Sequence, residues 1–299
     1  MEAIKLLAPA KVNLILQVLR KRSDGYHEIL SLMQRLSWGD EVLLRKRVKG
    51  VLLKVAPSVV PSNRENLAYR AAEYFFERFK IDGGVEIELQ KRIPVGAGLG
   101  GGSSDAAAVL RGLASLWGIP LDLSPQKIAR ELGADLPFFL GGSPAIARGI
   151  GEELEPIDKF PSLWYLLAFS KIFVSTAQAY GALRLTKERE PVTLPQIYHG
   201  MSDLKSYIIN DFEPWVTEQW PELKEMKEQL RHCGAEIAGM SGSGSTFFGL
   251  FSSEETAKKA QEALSKEGIR DTIVAQGEIS PSPLLPLPKG ERVGVRGSI

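Results

Sequence analysis

The 299-residue chain is poor in the residues that most often announce a function. It has one cysteine, Cys233, which excludes an intramolecular disulfide framework and any zinc site built on cysteines. Its three histidines, His27, His199 and His232, are scattered and form no metal-binding spacing. Neither sign of charge dominates: 37 Lys and Arg face 36 Asp and Glu, a formal net charge of +1, so the overall field gives no argument for a nucleic-acid partner. Long apolar runs are absent as well. No stretch approaches the roughly 18 uncharged apolar residues of a membrane span. The opening MEAIKLLAPAKVNLILQVLRKR, interrupted by Lys5 and Lys11, lacks the basic–apolar–cleavage order of a secretory signal. A reducing cytoplasm is the expected location, with neither membrane nor nucleic acid as partner.

What the chain does have is ordered punctuation. VNLILQVL and DEVLLRKR read as strands, and VEIELQKRI alternates as a strand should. SNRENLAYRAAEYFFERF carries a helical apolar stripe behind Ser62 and Glu65, a capping-box spacing. SPQKIARELG predicts a helix capped by Ser124, with Pro125 at its first position and Gly133 at its end. In the second half WYLLAFS reads as a strand, NDFEPWVTEQWPELKEMKEQLRHCG as helical, and AEIAGMSGSGSTFFGLF as two strands around a Gly/Ser loop. A helix, SEETAKKAQEALSKEG, and a strand, DTIVAQGEI, close this half. Mixed strands and helices in segregated runs predict an α+β protein of two domains, 1–155 and 156–279, joined near EPIDKFPS. The proline-rich residues 280–299 lack periodicity and are expected to be disordered.

The most informative stretch is Pro94-Val95-Gly96-Ala97-Gly98-Leu99-Gly100-Gly101-Gly102-Ser103-Ser104, which lies between a predicted strand and the predicted helix SSDAAAVLRGLASLWG ending at Gly118. Glycines allow the backbone to fold closely around an anion, and a helix N-terminus presents unpaired N–H groups and a positive dipole end. Ser103 and Ser104 add hydroxyls suited to phosphate or Mg²⁺. The loop is not a Walker A motif, because Gly102 stands where the lysine would be. Nor is it a dinucleotide fingerprint, since the nearest downstream acid, Asp122, lies in the loop GIPLDLSP. A purely structural glycine turn has the same composition; phosphate binding is the better reading. Asp135, after the end of a capped helix and before Pro137, Phe138 and Phe139, is a candidate general base, although a turn-forming Asp ahead of a proline looks the same.

Three blocks in order then carry a family resemblance. PVGAGLGGGSS resembles the phosphate loop of the GHMP kinase superfamily of small-molecule kinases, APAKVNLIL its first motif and GMSGSGSTFF, Gly239 to Phe248, its third. PAKVNL (Pro9–Leu14), Gly25-Tyr26-His27-Glu28, GADLPFF (Gly133–Phe139) and NDFEP (Asn210–Pro214) are similar to the branch whose acceptor alcohol carries a cytidine diphosphate. The resemblance covers roughly residues 3 to 278. It implies an N-terminal domain like ribosomal protein S5 domain 2, a C-terminal α/β domain and an active site in the cleft between them. It implies ATP, with Mg²⁺ arriving beside Ser103 or Ser104, and a monomer or weak homodimer. Asp135 becomes the catalytic base with Lys11 as its partner, and Asn13 a contact to the substrate near the reacting end. Tyr26 and Tyr180 become the two faces of a cytosine sandwich, with His27 hydrogen-bonding the base and Gly242 and Ser243 shaping the substrate pocket. A homoserine- or mevalonate-type kinase, or a nucleotide-binding module without catalysis, are the alternatives.

Overall fold

A computed structural model describes residues 2–183, 189–280 and 291–292. The first half runs β1 (Ala3–Lys21), β2 (His27–Arg47), β3 (Gly50–Ala56), α1 (Leu67–Phe79), β4 (Gly84–Gln90), α2 (Gly101–Trp117), α3 (Pro125–Leu132), α4 (Leu136–Leu140), β5 (Ala145–Arg148) and β6 (Glu153–Pro156). The second adds β7 (Trp164–Ala168), α5 (Thr176–Ala182), α6 (Met201–Lys205), β8 (Ile209–Asn210), α7 (Glu213–Gln219) and α8 (Pro221–His232). It continues with β9 (Ile237–Met240), β10 (Phe247–Phe251), α9 (Glu254–Lys266), β11 (Thr272–Gln276) and, within the tail, β12 (Glu291–Arg292). The expectation of disorder over 280–299 fails at Ser280, which bridges Ser143, and at β12; its remainder, 281–290 and 293–299, lies outside the described residues.

One sheet has the order β12-β1-β2-β4-β3, extended by β5 on β2, β6 on β5 and β8 on β1; the other has the order β11-β7-β10-β9. The two strands read near the start belong to a much longer antiparallel pair. β1 and β2 stay paired from Ala3–Arg45 to Lys21–His27, with register shifts at Pro9/Lys11, Asn13/Ile15 and Val18/Arg20. Such shifts bend a strand and re-aim its side chains. They explain why VNLILQVL does not alternate: β1 is buried on both faces along this stretch, so polarity is not needed on either. Alanine-rich α2 packs its Ala106, Ala107, Val109, Leu110 and Leu113 against Val42, Leu44, Val85 and Ile87 of the sheet and Phe75 of α1. α7, α8 and α9 cover the second sheet through Val216, Leu223, Leu230, Ala257, Ala260 and Leu264.

Two element boundaries differ from the sequence reading. α1 is capped by Asn66, whose Oδ1 accepts from the Ala68 N–H at 2.9 Å, and not by a Ser62–Glu65 box. The Glu65 N–H is already given to Asn63 Oδ1 (3.0 Å) in a local turn, which removes Glu65 from any box. The helical segment after Asn210 is two helices, α7 and α8, broken at Trp220–Pro221 because proline has no N–H to continue the ladder. α3 does begin at Pro125 behind the Ser124 cap and stop at Gly133, and α2 stops at Gly118. Among the described residues no helix is long and apolar enough to cross a membrane.

Candidate active site

The glycine-rich loop from Pro94 leads directly into α2, whose first residue is Gly101. Gly98 is the position where the loop permits nothing else. Its φ is +76°, and a Cβ there would lie 2.1 Å from the Ser241 carbonyl oxygen of the second glycine loop. The two loops therefore meet backbone to backbone. Ser241 Oγ donates to the Gly98 carbonyl at 2.9 Å and accepts from the Asn13 N–H at 3.2 Å. The Lys11 N–H donates to the Leu99 carbonyl at 3.0 Å, so β1 holds the phosphate loop from the other side. The conformation of the second loop is secured by the NDFEP segment. Asn210 Nδ2 donates to the carbonyls of Met240 and Gly242, both at 2.8 Å, and Glu213 Oε2 accepts from the Met240 N–H at 3.1 Å.

Lys11 and Asp135 stand at the foot of this junction. Lys11 is buried and donates to Asn13 Oδ1 at 2.5 Å, and its Nζ lies 3.5 Å from Asp135 Oδ2. The Asp135 side chain is about one-third exposed (35%), opens to the cleft and makes no capping bond to the helix it precedes. Asn13 is also buried; its Nδ2 donates to Ser31 Oγ at 2.8 Å, which fixes the amide with its oxygen toward the lysine. A carboxylate, an ammonium and an amide thus converge within reach of the α2 N-terminus.

Deeper under the loop lies a buried charge cluster that the sequence reading did not anticipate. Lys91 Nζ bridges Asp40 Oδ2 (2.5 Å) and Asp105 Oδ2 (2.8 Å), and Asp40 Oδ1 accepts from the N–H groups of Arg92 and Ile93. Burial, only partly offset by the Lys91 ammonium, pushes the Asp105 carboxyl up to about 8. Ser104 Oγ and Asp105 Oδ1 are buried with no hydrogen-bond partner among the described residues.

At the opposite end are the aromatics. Tyr26 is exposed, and its neighbour His27 lies on Tyr180 with ring centroids 4.5 Å apart and planes 21° apart. Tyr180 also meets the edge of Phe212 at 4.8 Å. Burial, and after it the Asp135 charge, raises the Tyr180 phenol to about 12, while burial and nearby Lys21 lower the His27 imidazole. The structure therefore brings His27, rather than Tyr26, directly onto Tyr180. Ser243 Oγ is 2.9 Å from Thr176 Oγ1, which ties the second glycine loop to α5 and to Tyr180.

The glycine loop, the Lys11–Asp135 pair and the aromatics share one cavity of about 1060 Å³. Its walls include the loop from Pro94 to Ser103, Lys11, Asn13, Asp135, Tyr26, His27, Tyr180, Gly242 and Ser243; Ser104 stays behind the wall. The cavity wall also includes residues that the sequence reading missed, Val60, Pro61, Glu65, Asn66 and Leu67, which lead into α1. The signal for them was an asparagine just ahead of an apolar helical stripe, which reads equally well as an ordinary helix start.

Known proteins resemble this chain over both of its halves. The model of the GHMP kinases N terminal domain matches residues 66–143, and that of the GHMP kinases C terminal domain matches residues 200–270. The 4-diphosphocytidyl-2-C-methyl-D-erythritol kinase of Geobacter metallireducens is 43% identical over 267 residues, covering 89% of this chain and 95% of its own. The enzyme of the same name from Syntrophotalea carbinolica is 44% identical over 264 residues, 87% of this chain and 93% of its own. A crystal structure of 4-(cytidine 5'-diphospho)-2C-methyl-D-erythritol kinase superposes with a TM-score of 0.76 at 38% identity, covering 91% of this chain and 98% of that one. Homoserine kinase from Cytophaga hutchinsonii, at 23% identity and a TM-score of 0.69, shares the fold.

Proposed function

Because the chain belongs to the GHMP kinase family, we propose that it uses ATP to phosphorylate the 2-hydroxyl of 4-diphosphocytidyl-2-C-methyl-D-erythritol, a step toward isoprenoid precursors by the non-mevalonate route. The phosphates of ATP lie on the Gly96–Gly102 loop, where free N–H groups and the α2 dipole favour negative charge. The adenine takes the stretch of wall from Val60 to Leu67, where Val60, Pro61 and Leu67 offer apolar contact. Ser103, in the cavity wall at the α2 N-terminus, would hold Mg²⁺, with the partnerless Ser104 hydroxyl behind it, and the ion would supply neutralisation of phosphate charge.

The acceptor hydroxyl approaches Asp135. As its oxygen bonds to the γ-phosphorus and the bond to ADP breaks, the hydroxyl proton passes to the Asp135 carboxylate. Lys11, 3.5 Å from that carboxylate and shielded from water, balances the negative charge that builds on the alcohol oxygen. At the far end the cytosine enters between Tyr26 and Tyr180. His27 leaves its stack on Tyr180 and turns its ring nitrogens to the base edge. The enzyme works in the cytoplasm as a monomer or weak homodimer, without nucleic acid or membrane.

The observation that carries this reading is the Lys11–Asp135 pair at the foot of a glycine loop, in one cavity with three aromatic rings able to hold a base. ATP turnover measured against the cytidyl diphosphate alcohol, homoserine and mevalonate tests it. Turnover with the first alone is expected. Preferential turnover of either of the others would assign the aromatics another purpose.

A further inference from the structure

α4 is five residues long, so almost all of its carbonyls lack partners within the helix. Asp135 is the residue from which α4 departs, so whatever grips the far end of this single turn sets the carboxylate's position. That grip is Arg35. Its Nη1 donates to the carbonyls of Gly141 (2.6 Å), Phe138 (3.3 Å) and Phe139 (3.5 Å), and its guanidinium carbon lies 5.8 Å from the centre of the Phe138 ring. Its Nε and Nη2 donate to the Glu278 carboxylate at 3.0 and 3.3 Å, and Nη2 donates to Ser280 Oγ at 2.7 Å. The side chain is only 5% exposed. An arginine fork placed on the C-terminal carbonyls of a helix answers both their unmet hydrogen bonds and the negative end of the dipole.

The second observation is register. Lys11 of β1 and Arg35 of β2 are direct cross-strand partners, and such pairs project from the same face of a sheet. One strand pair therefore holds both ends of one helical turn, Lys11 at the Asp135 carboxylate and Arg35 at the carbonyls of residues 138, 139 and 141. Resting on the reading of Asp135 as base, we infer that Arg35, braced by Glu278, is a positioning residue for catalysis, setting the distance of Asp135 from Lys11 and from the acceptor hydroxyl. Glu278 follows β11 of the second sheet, so the brace also makes the base's position depend on how the two sheets meet.

The test is Arg35→Met, which keeps the apolar stem and removes every donor, with Arg35→Lys and Glu278→Gln beside it. kcat, both KM values and the melting temperature are measured, with Asp135→Asn as reference. A misplacement of about 1 Å can cost about 10²-fold in rate. Arg35→Met is expected to lose about 10- to 100-fold in kcat, with the KM for ATP within about twofold, and Arg35→Lys to recover some of the loss. Glu278→Gln, which leaves the arginine in place, should lose kcat in the same sense and to a smaller extent. A folded Arg35→Met enzyme with wild-type kcat and only a lowered melting temperature would reduce Arg35 to a structural staple and overturn the inference. Should Arg35→Met fail to fold, an unchanged kcat in Glu278→Gln and Arg35→Lys overturns it equally. Full activity of Asp135→Asn would instead overturn the reading of the base, so the two failures are distinct.

Discussion

The reacting end and the aromatic end of the cleft lie in one cavity and are built on different principles. At the reacting end each polar group is held by others: Lys11 by Asn13, Asn13 by Ser31, the phosphate loop by Ser241, the second glycine loop by Asn210. These donors and acceptors are mostly buried and already face where charge develops, so little reorganisation is needed during transfer. At the aromatic end Tyr26 is exposed and His27 covers Tyr180, so the proposed stacking of a base requires the His27 and Tyr180 rings to separate. On the proposed function the contrast separates rate from recognition: the chemistry is set in advance, while recognition of the base includes a local rearrangement.

If that separation holds, damage at the two ends will show in different kinetic constants. The largest effect is expected from Asp135→Asn, which keeps shape and removes the proton acceptor. kcat should fall by about 10²-fold or more with both KM values nearly unchanged. Near-normal turnover by the folded variant would move the proton to another acceptor and dissolve the contrast. Tyr26→Ala should do the reverse, raising the KM for the cytidyl substrate about 5- to 150-fold, from a stacking contribution of about 1–3 kcal/mol, with the KM for ATP unmoved. A loss of ATP affinity instead would place Tyr26 in the nucleotide site. Gly98→Ala is the sharpest probe of how far the ends are independent. A side chain at φ +76° costs about 1–2 kcal/mol, and it would also push against the Ser241 carbonyl, 2.1 Å from its Cβ. Because that contact joins the two loops, the KM values for ATP and for acceptor should rise together, by about 5- to 30-fold. A rise confined to ATP would show that the loops touch without acting together.

Legibility from sequence followed the same division. The phosphate loop, the α2 stop at Gly118 and the α3 start at Ser124 and Pro125 could be read because local backbone chemistry decides them. Asp135 could be named a candidate base from its local sequence, while Lys11 and Asn13 entered through a family resemblance, and the convergence of the three depends on a fold that joins residues far apart in the chain. What stayed hidden was pairwise and distant. Arg35 and Glu278 are separated by 243 residues, and neither stands in a recognisable motif. The Lys91–Asp40–Asp105 cluster scatters its members over the interior of β2, the residue after β4 and the beginning of α2, where each reads as an ordinary surface charge. The Asn66 cap lost to Ser62 and Glu65 on paper because a capping-box spacing does not reveal that Asn63 has already taken the Glu65 N–H.

β1 has one further consequence, for inheritance. Its side chains change allegiance along the strand: Ile4 and Ala8 belong to the core under α2, Ala10, Val12, Leu14, Ile15 and Leu19 to the core between the sheets, and Leu16 and Val18 to that of the second sheet. Between these apolar residues sit Lys11 and Asn13, the two side chains of β1 placed at the reacting end. Losing Ala10, or gaining a residue just before it, would put a valine or an alanine in place of the lysine and would exchange the side chains that serve the core between the sheets with those that serve the second sheet. The turn after Arg47, where Val48 is almost fully exposed, bears no such load. Lineages of this chain should therefore vary in length at that turn, and β1 should change only by substitution.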